Sequence, residues 1–265
     1  MNIYEYMGIS EDEKPLDRIV TDGGFCSIFR TIACIGDSLS SGEFESTTSD
    51  GNHRYHDFYE YSWGQFLGRA CGSKVYNFSQ GGMTAKAYVK DFAENKGFWH
   101  TDKLAQAYII ALGVNDITQH LEGKMELGAL SDVDLSDYTN NAETFIGYYA
   151  QIIQRIKLLQ PRAKIFLVSP IQNDNPEDIR TQKYKEITEL LQGLIKIFTD
   201  TYLIDLFEYA PKQDQEFKEK FWVGHMSPTG YLLIARMIES YIDYLIRKNP
   251  NEFKQVGFIG TDLYY

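Results

Sequence analysis

The chain has 265 residues, enough for one large α/β domain with a sizeable buried core. Its 37 Asp and Glu against 26 Lys and Arg leave a formal net charge of -11. That balance excludes a nucleic-acid backbone as partner, because neutralising phosphates takes clustered cations, and it disfavours a strongly anionic membrane surface.

Three cysteines, Cys26, Cys34 and Cys71, form an odd number without a CxxC spacing. A disulfide framework is not expected, and a reducing compartment fits best. The opening MNIYEYMGISEDEKPLD lacks the basic start and apolar stretch of a signal peptide, and no apolar run reaches the ~18 residues of a membrane span. A cytoplasmic location is the expectation.

Residues 1–30 are a poorly patterned lead-in, and residues 31–265 are expected to form a single domain. The first strand is predicted over residues 31–35, a nearly continuous apolar run of the kind a central parallel sheet requires. It ends in Ile35-Gly36-Asp37-Ser38-Leu39-Ser40. A serine there lies at the sheet's carboxyl edge, beside the free N–H groups of a helix start, which favour developing negative charge. Taken alone, Gly-Asp-Ser is equally a turn with a capping serine. Residues 43–61 follow as a polar and aromatic insertion, a loop whose Arg54, Tyr55, Phe58, Tyr59 and Tyr61 either line a substrate groove or pack on the domain.

The second strand, over 74–78, leads into Asn77-Phe78-Ser79-Gln80-Gly81-Gly82-Met83. Paired glycines allow close backbone approach to a ligand, although a plain tight turn uses them more often. The third strand, over 107–112, runs into Gly113-Val114-Asn115-Asp116. The Asn115 amide can donate to an oxyanion, or form an Asx turn. Residues 119–141 are an acidic, loop-like insertion. Both insertions follow carboxyl ends of strands, where open α/β sheets bind ligands.

Phe145, Tyr149, Ile152, Ile156 and Leu159 recur at helical steps before Pro161, and strands are predicted over 163–168 and 202–206. Between those strands Tyr184, Ile187, Leu191, Leu194 and Ile197 mark a second helix. A final helix begins with Ser227 as N-cap and Pro228 at its first position. His225 precedes it, where the positive helix end disfavours imidazolium and keeps a base neutral. A lone His, however, is more often a residue without such a role. The alternation of strands and helices predicts a three-layer α/β/α sandwich.

In this order the four segments resemble the SGNH hydrolases, also called the GDSL esterase family. Gly36-Asp37-Ser38-Leu39 matches the nucleophile block, Gly82 (five residues after Asn77) the glycine block, Gly113-Val114-Asn115-Asp116 the Gly-x-Asn-Asp block, and His225 the histidine block. The resemblance runs from about residue 31 to 246. It implies a flavodoxin-like sheet of five parallel strands in the order 2-1-3-4-5. It also implies Ser38 as nucleophile, His225 as base, and an oxyanion hole from the N–H groups of Ser38 and Gly82 and the side chain of Asn115. Asp37 and Asp116 look structural, and no cofactor or metal is implied.

One position departs from the family. Three residues before the histidine, where an Asp usually orients the ring, stands Trp222, and an indole cannot accept the Nδ1 proton. The Trp222 backbone carbonyl is the favoured substitute; an acid such as Asp214, Glu216 or Glu219, or a bridging water, is the alternative. His53 and His56 form an HxxH pair without a third ligand motif, so a metal is disfavoured.

The expected function is hydrolysis of a small-molecule ester through an acyl-enzyme, with short acyl groups such as acetyl removed from a carbohydrate. A lysophospholipase, a thioesterase or a non-catalytic binding protein on the same fold are the competing readings.

Overall fold

The computed structural model describes residues 3–259; residues 1–2 and 260–265, the outer ends of the predicted lead-in and domain, lie outside it. The sheet is built from β1 (Thr31–Gly36), β4 (Lys74–Ser79), β5 (Ala107–Ala111), β6 (Lys164–Val168) and β7 (Thr201–Ile204). Two further strands, β2 (Glu43–Thr47) and β3 (His53–Asp57), pair only with each other. The order across the sheet is β4-β1-β5-β6-β7, and all four pairings are parallel. Counted along the chain among sheet strands, this is the expected 2-1-3-4-5. The predicted strand ends hold to within two residues. The fifth strand stops at Ile204 because Asp205 caps a new helical turn, Leu206–Tyr209, by accepting from the Glu208 N–H.

Apolar residues occur at consecutive positions because both faces are covered. Ala33, Ile35, Ile110, Ile165 and Leu167 point to one layer, where they meet helices α3 (Phe145–Leu159) and α4 (Ile179–Ile197). Ile32, Cys34, Ile109 and Phe166 point to the other, against α1 (Trp63–Cys71) and α6 (Pro228–Lys248). The period-2 reversal of side chains thus feeds two cores from one strand. Helix α2 (Val114–Leu121) follows β5 directly and α5 (Gln215–Phe221) precedes the histidine segment.

Helix α6 starts as its sequence predicts: Ser227 Oγ accepts from the Gly230 N–H at 3.1 Å, with Pro228 in the first turn. Its far side holds the lead-in. Val20 N–H donates to Ser240 Oγ, and the buried Arg247 guanidinium forks between Asp243 and Glu13. Among the described residues no helix is long and apolar enough to cross a membrane.

The clearest departure from expectation is residues 43–61. Instead of a loop, Glu43–Thr47 and His53–Asp57 form an antiparallel hairpin, with Glu43 opposite Asp57 and Glu45 opposite Tyr55. Alternation puts these four side chains on one face and Phe44 on the other. Phe44 fastens the hairpin to the domain, with its ring 5.7 to 5.9 Å from those of Tyr231, Tyr61 and Phe58.

Candidate active site

Ser38 opens the single helical turn Ser38–Ser41 at the carboxyl end of β1. Asp37 caps that turn through an Oδ1 contact to the Leu39 N–H at 3.0 Å. As the first residue of the turn, Ser38 carries an N–H without an intrahelical acceptor, and that dipole points toward the serine's own surroundings.

His225 reaches Ser38 from the opposite end of the sequence. It lies in a tight two-strand pairing, β8 (Trp222–Val223) with β9 (His225–Met226), turned at Gly224, whose φ is 70°. His225 Nε2 stands 3.1 Å from Ser38 Oγ and Nδ1 stands 2.7 Å from Glu45 Oε1. With a carboxylate on Nδ1 the proton belongs there, so Nε2 offers its lone pair to the serine hydroxyl. Ser–His–carboxylate contact of this kind is the arrangement that activates a serine for attack on a carbonyl.

The expected role of the Trp222 carbonyl is therefore corrected. Glu45 occupies Nδ1, while Trp222 pairs across the short turn with Met226 and lays its indole parallel to the imidazole, centroids 6.4 Å apart. The alternative acids are committed elsewhere. Asp214 caps α5, and Glu216 and Glu219 pair with Lys220 and Gln215. Gly224 explains how the carboxylate fits, since a Cβ there would collide with Glu45. Sequence reasoning missed Glu45 because the hairpin that aims it was read as a loop. The available signal was Asp50-Gly51 between two short polar runs, a turn dipeptide for hairpins.

A second carboxylate adjoins the same ring. Glu43 Oε1 lies 3.1 Å from His225 Nε2, and a Cβ at Gly81 would collide with Oε2. Burial raises the Glu43 carboxyl above the usual range, with Asp57 and Glu45 adding repulsion and His225 opposing it.

The oxyanion candidates converge on one edge. The Asn115 amide donates to Asp37 Oδ2 at 3.3 Å and to the Met83 carbonyl at 3.2 Å, which brings the first, second and third strand ends together. Gly82, with φ 72°, borders open space rather than packed atoms. Asp116 accepts from the Ala85 N–H at 3.0 Å, tying the glycine loop to α2. Burial pushes the carboxyls of Asp37 and Asp116 up to about 7. An apolar cavity is lined by the serine's chain neighbours Asp37 and Leu39, together with Val114, Pro170, Ile171 and Trp222 among others.

His53 and His56 stand three positions apart on β3, so strand alternation turns them to opposite faces. His56 Nε2 shares a hydrogen bond with Ser46 Oγ at 2.8 Å instead. Tyr55 of the same strand does reach the site, its exposed ring edge-on to His225 at 6.2 Å.

Comparison with known proteins agrees with this fold and motif order. Residues 34–233 match the GDSL-like Lipase/Acylhydrolase family. A curated relative, platelet-activating factor acetylhydrolase IB subunit alpha2 of Rattus norvegicus, is 24% identical over 149 residues, covering 52% of this chain and 65% of its own length. Among solved structures, a protein from Lactobacillus plantarum superposes with a TM-score of 0.59 at 17% identity, over 82% of this chain and 97% of that one. A family two carbohydrate esterase from Clostridium thermocellum, in complex with cellohexaose, gives 0.56 at 16% identity, over 91% and 67%. With the family match spanning most of the sheet and every motif block, the chain belongs to the GDSL-like lipase/acylhydrolase family.

Proposed function

We propose that the protein removes short acyl groups, acetyl foremost, from a small hydroxylated alcohol such as a carbohydrate, through a covalent Ser38 ester. The observation that carries this reading is the continuous contact from Ser38 Oγ through His225 to Glu45, at 3.1 and 2.7 Å.

Ser38 Oγ attacks the ester carbonyl carbon while its proton passes to His225 Nε2. Glu45, on Nδ1, holds the ring and offsets the imidazolium charge that results. The N–H groups of Ser38 and Gly82 would receive the oxyanion, joined by the Asn115 amide once it exchanges one of its long contacts to Asp37 or Met83, each such donor contributing about 2.7–4 kcal/mol to the transition state. The tetrahedral species collapses, the C–O bond to the alcohol breaks, and the departing oxygen takes the proton from Nε2. Water then attacks the acyl-enzyme and gives its proton to the same nitrogen; the bond to Ser38 Oγ breaks, Oγ takes that proton back, and the carboxylic acid leaves.

The apolar cavity beside Leu39 suits the acyl group, and the polar face of the hairpin suits the alcohol. The acetylhydrolase name of the curated relative agrees with a small acyl group.

The test is hydrolysis of p-nitrophenyl esters of increasing chain length by the wild type, Ser38→Ala and His225→Ala. Activity that declines with chain length and vanishes in both variants is the expected outcome. Equal activity in the variants would overturn the assignment of nucleophile and base, and a preference for long chains would overturn the short-acyl reading.

A further inference from the structure

Resting on the esterase reading above, we propose that Glu43 selects the alcohol half of the substrate, favouring esters with a free hydroxyl on the carbon next to the ester-bearing carbon.

Nε2 of His225 faces two oxygens at 3.1 Å, Ser38 Oγ and Glu43 Oε1. When Glu45 accepts the Nδ1 proton, a neutral ring has only a lone pair at Nε2, which the serine hydroxyl must occupy for catalysis. In that productive state Glu43 confronts a lone pair and has no donor. If instead the ring is charged, the imidazolium can pair electrostatically with Glu43 at that distance, and the nitrogen is no longer a base. An ionised Glu43 in the productive state is therefore left open to another donor.

Among the described residues none is recorded donating to that carboxylate. Its side chain is only 13% exposed, and among the described residues its ion-pair partner is the imidazole itself. The neighbours on its hairpin face are Glu45, Asp57 and Tyr55, and Asp57 is already held by the Ser41 hydroxyl. A like-charged pair directly opposite across a hairpin is destabilising, so Glu43 facing Asp57 has no structural benefit of its own. Its raised carboxyl pKa agrees with a group lacking a donor. The carboxylate also lies against Gly81, where a Cβ would collide with Oε2.

Geometry says where the donor must come from. The departing alcohol oxygen has to sit within hydrogen-bond length of Nε2 to take its proton. Glu43 Oε1 is itself one hydrogen-bond length from Nε2. A hydroxyl on the adjacent carbon of the alcohol lies one such length from the ester oxygen, which closes a ring of contacts through Nε2, the ester oxygen, the hydroxyl and Glu43. Sugars and polyols carry that hydroxyl; simple alkyl esters do not. Exposed Tyr55, edge-on to His225, supplies an aromatic surface on the same side.

The experiment compares ethylene glycol monoacetate with propyl acetate, which replaces the hydroxyl by a methyl of similar size, with p-nitrophenyl acetate as a donor-free reference. The ratio of kcat/KM is read for the wild type, Glu43→Ala and Glu43→Gln, by titrating the acid released. Wild type is expected to favour the hydroxy ester by about 10- to 100-fold, the range for a hydrogen bond to a charged group. Glu43→Ala is expected to bring the ratio near one, and Glu43→Gln, which keeps an acceptor oxygen, to retain part of it. A wild-type ratio near one, with p-nitrophenyl acetate turned over, overturns the role of Glu43 and leaves the esterase reading standing. A ratio that survives in Glu43→Ala does the same. Failure of the wild type on all three esters overturns the esterase reading and this inference with it.

Discussion

Asp37 and Asp116 are buried carboxyls whose charge state the fold controls. Both carboxyls are raised to about 7, chiefly by desolvation, against an ordinary value near 3.9. A carboxyl raised in the folded state contributes stability that is fully present below the unfolded pKa and is lost as pH rises through the folded one. Between about pH 4 and pH 7 the wild type should therefore lose stability relative to Asp116→Asn. The thermal midpoint of the variant minus that of the wild type should grow across that window and level off above it. A difference independent of pH would contradict the desolvation account. The other residue-scale claim concerns His225. Glu45→Gln should lower kcat by up to about 10⁴-fold, as loss of a triad carboxylate does, with little change in melting temperature. Glu216→Gln and Glu219→Gln, on side chains paired within α5, should leave kcat within about twofold. Kinetics of the three variants side by side checks both statements. None of this was legible from the His225 segment alone, because the residue that orients the ring is 180 positions away.

At the scale of elements, the sheet was readable where burial on both faces makes a strand continuously apolar, as in Ile32-Ala33-Cys34-Ile35 and Ile165-Phe166-Leu167. Helix α6 was readable from Ser227 and Pro228. The hairpin was not. Glu-Phe-Glu-Ser-Thr and His-Arg-Tyr-His-Asp are polar and half or fully exposed, so no apolar alternation marks them as strands. Phe44 is the exception, and its packing on Tyr231, Tyr61 and Phe58 gives the hairpin its position. Tyr231 adds a hydrogen bond, donating to the Glu43 carbonyl at 2.8 Å. Phe44→Ala should thus displace both carboxylates while leaving the sheet intact. The expected result is a fall of about tenfold or more in kcat/KM, as misplacement of catalytic groups produces, with a melting temperature lowered by only a few degrees. Circular dichroism melting and ester kinetics on one preparation would separate this from unfolding.

For the whole molecule, the five-stranded order and the motif blocks agree because each block lies at a carboxyl end of β1, β4 or β5, or immediately before α6. Topology alone brings Ser38, Gly82 and Asn115 to one edge, and α6, crossing one face, delivers His225 to the same place. The part the motifs left open, the group on Nδ1, came from an insertion between the first and second sheet strands. A segment free of the sheet's burial constraint can carry a carboxylate to the histidine without disturbing the core, which is why Trp222 can stand where the family usually has an acid. Ser38, His225 and Glu45 thus meet from three distant stretches of the chain.

The most direct test is the rate at which a fluorophosphonate labels the protein, followed by intact mass and peptide mapping. The triad predicts a single adduct on Ser38, absent in Ser38→Ala and slowed by orders of magnitude in Glu45→Gln. Labelling elsewhere, or a Glu45→Gln rate equal to that of the wild type, would contradict it.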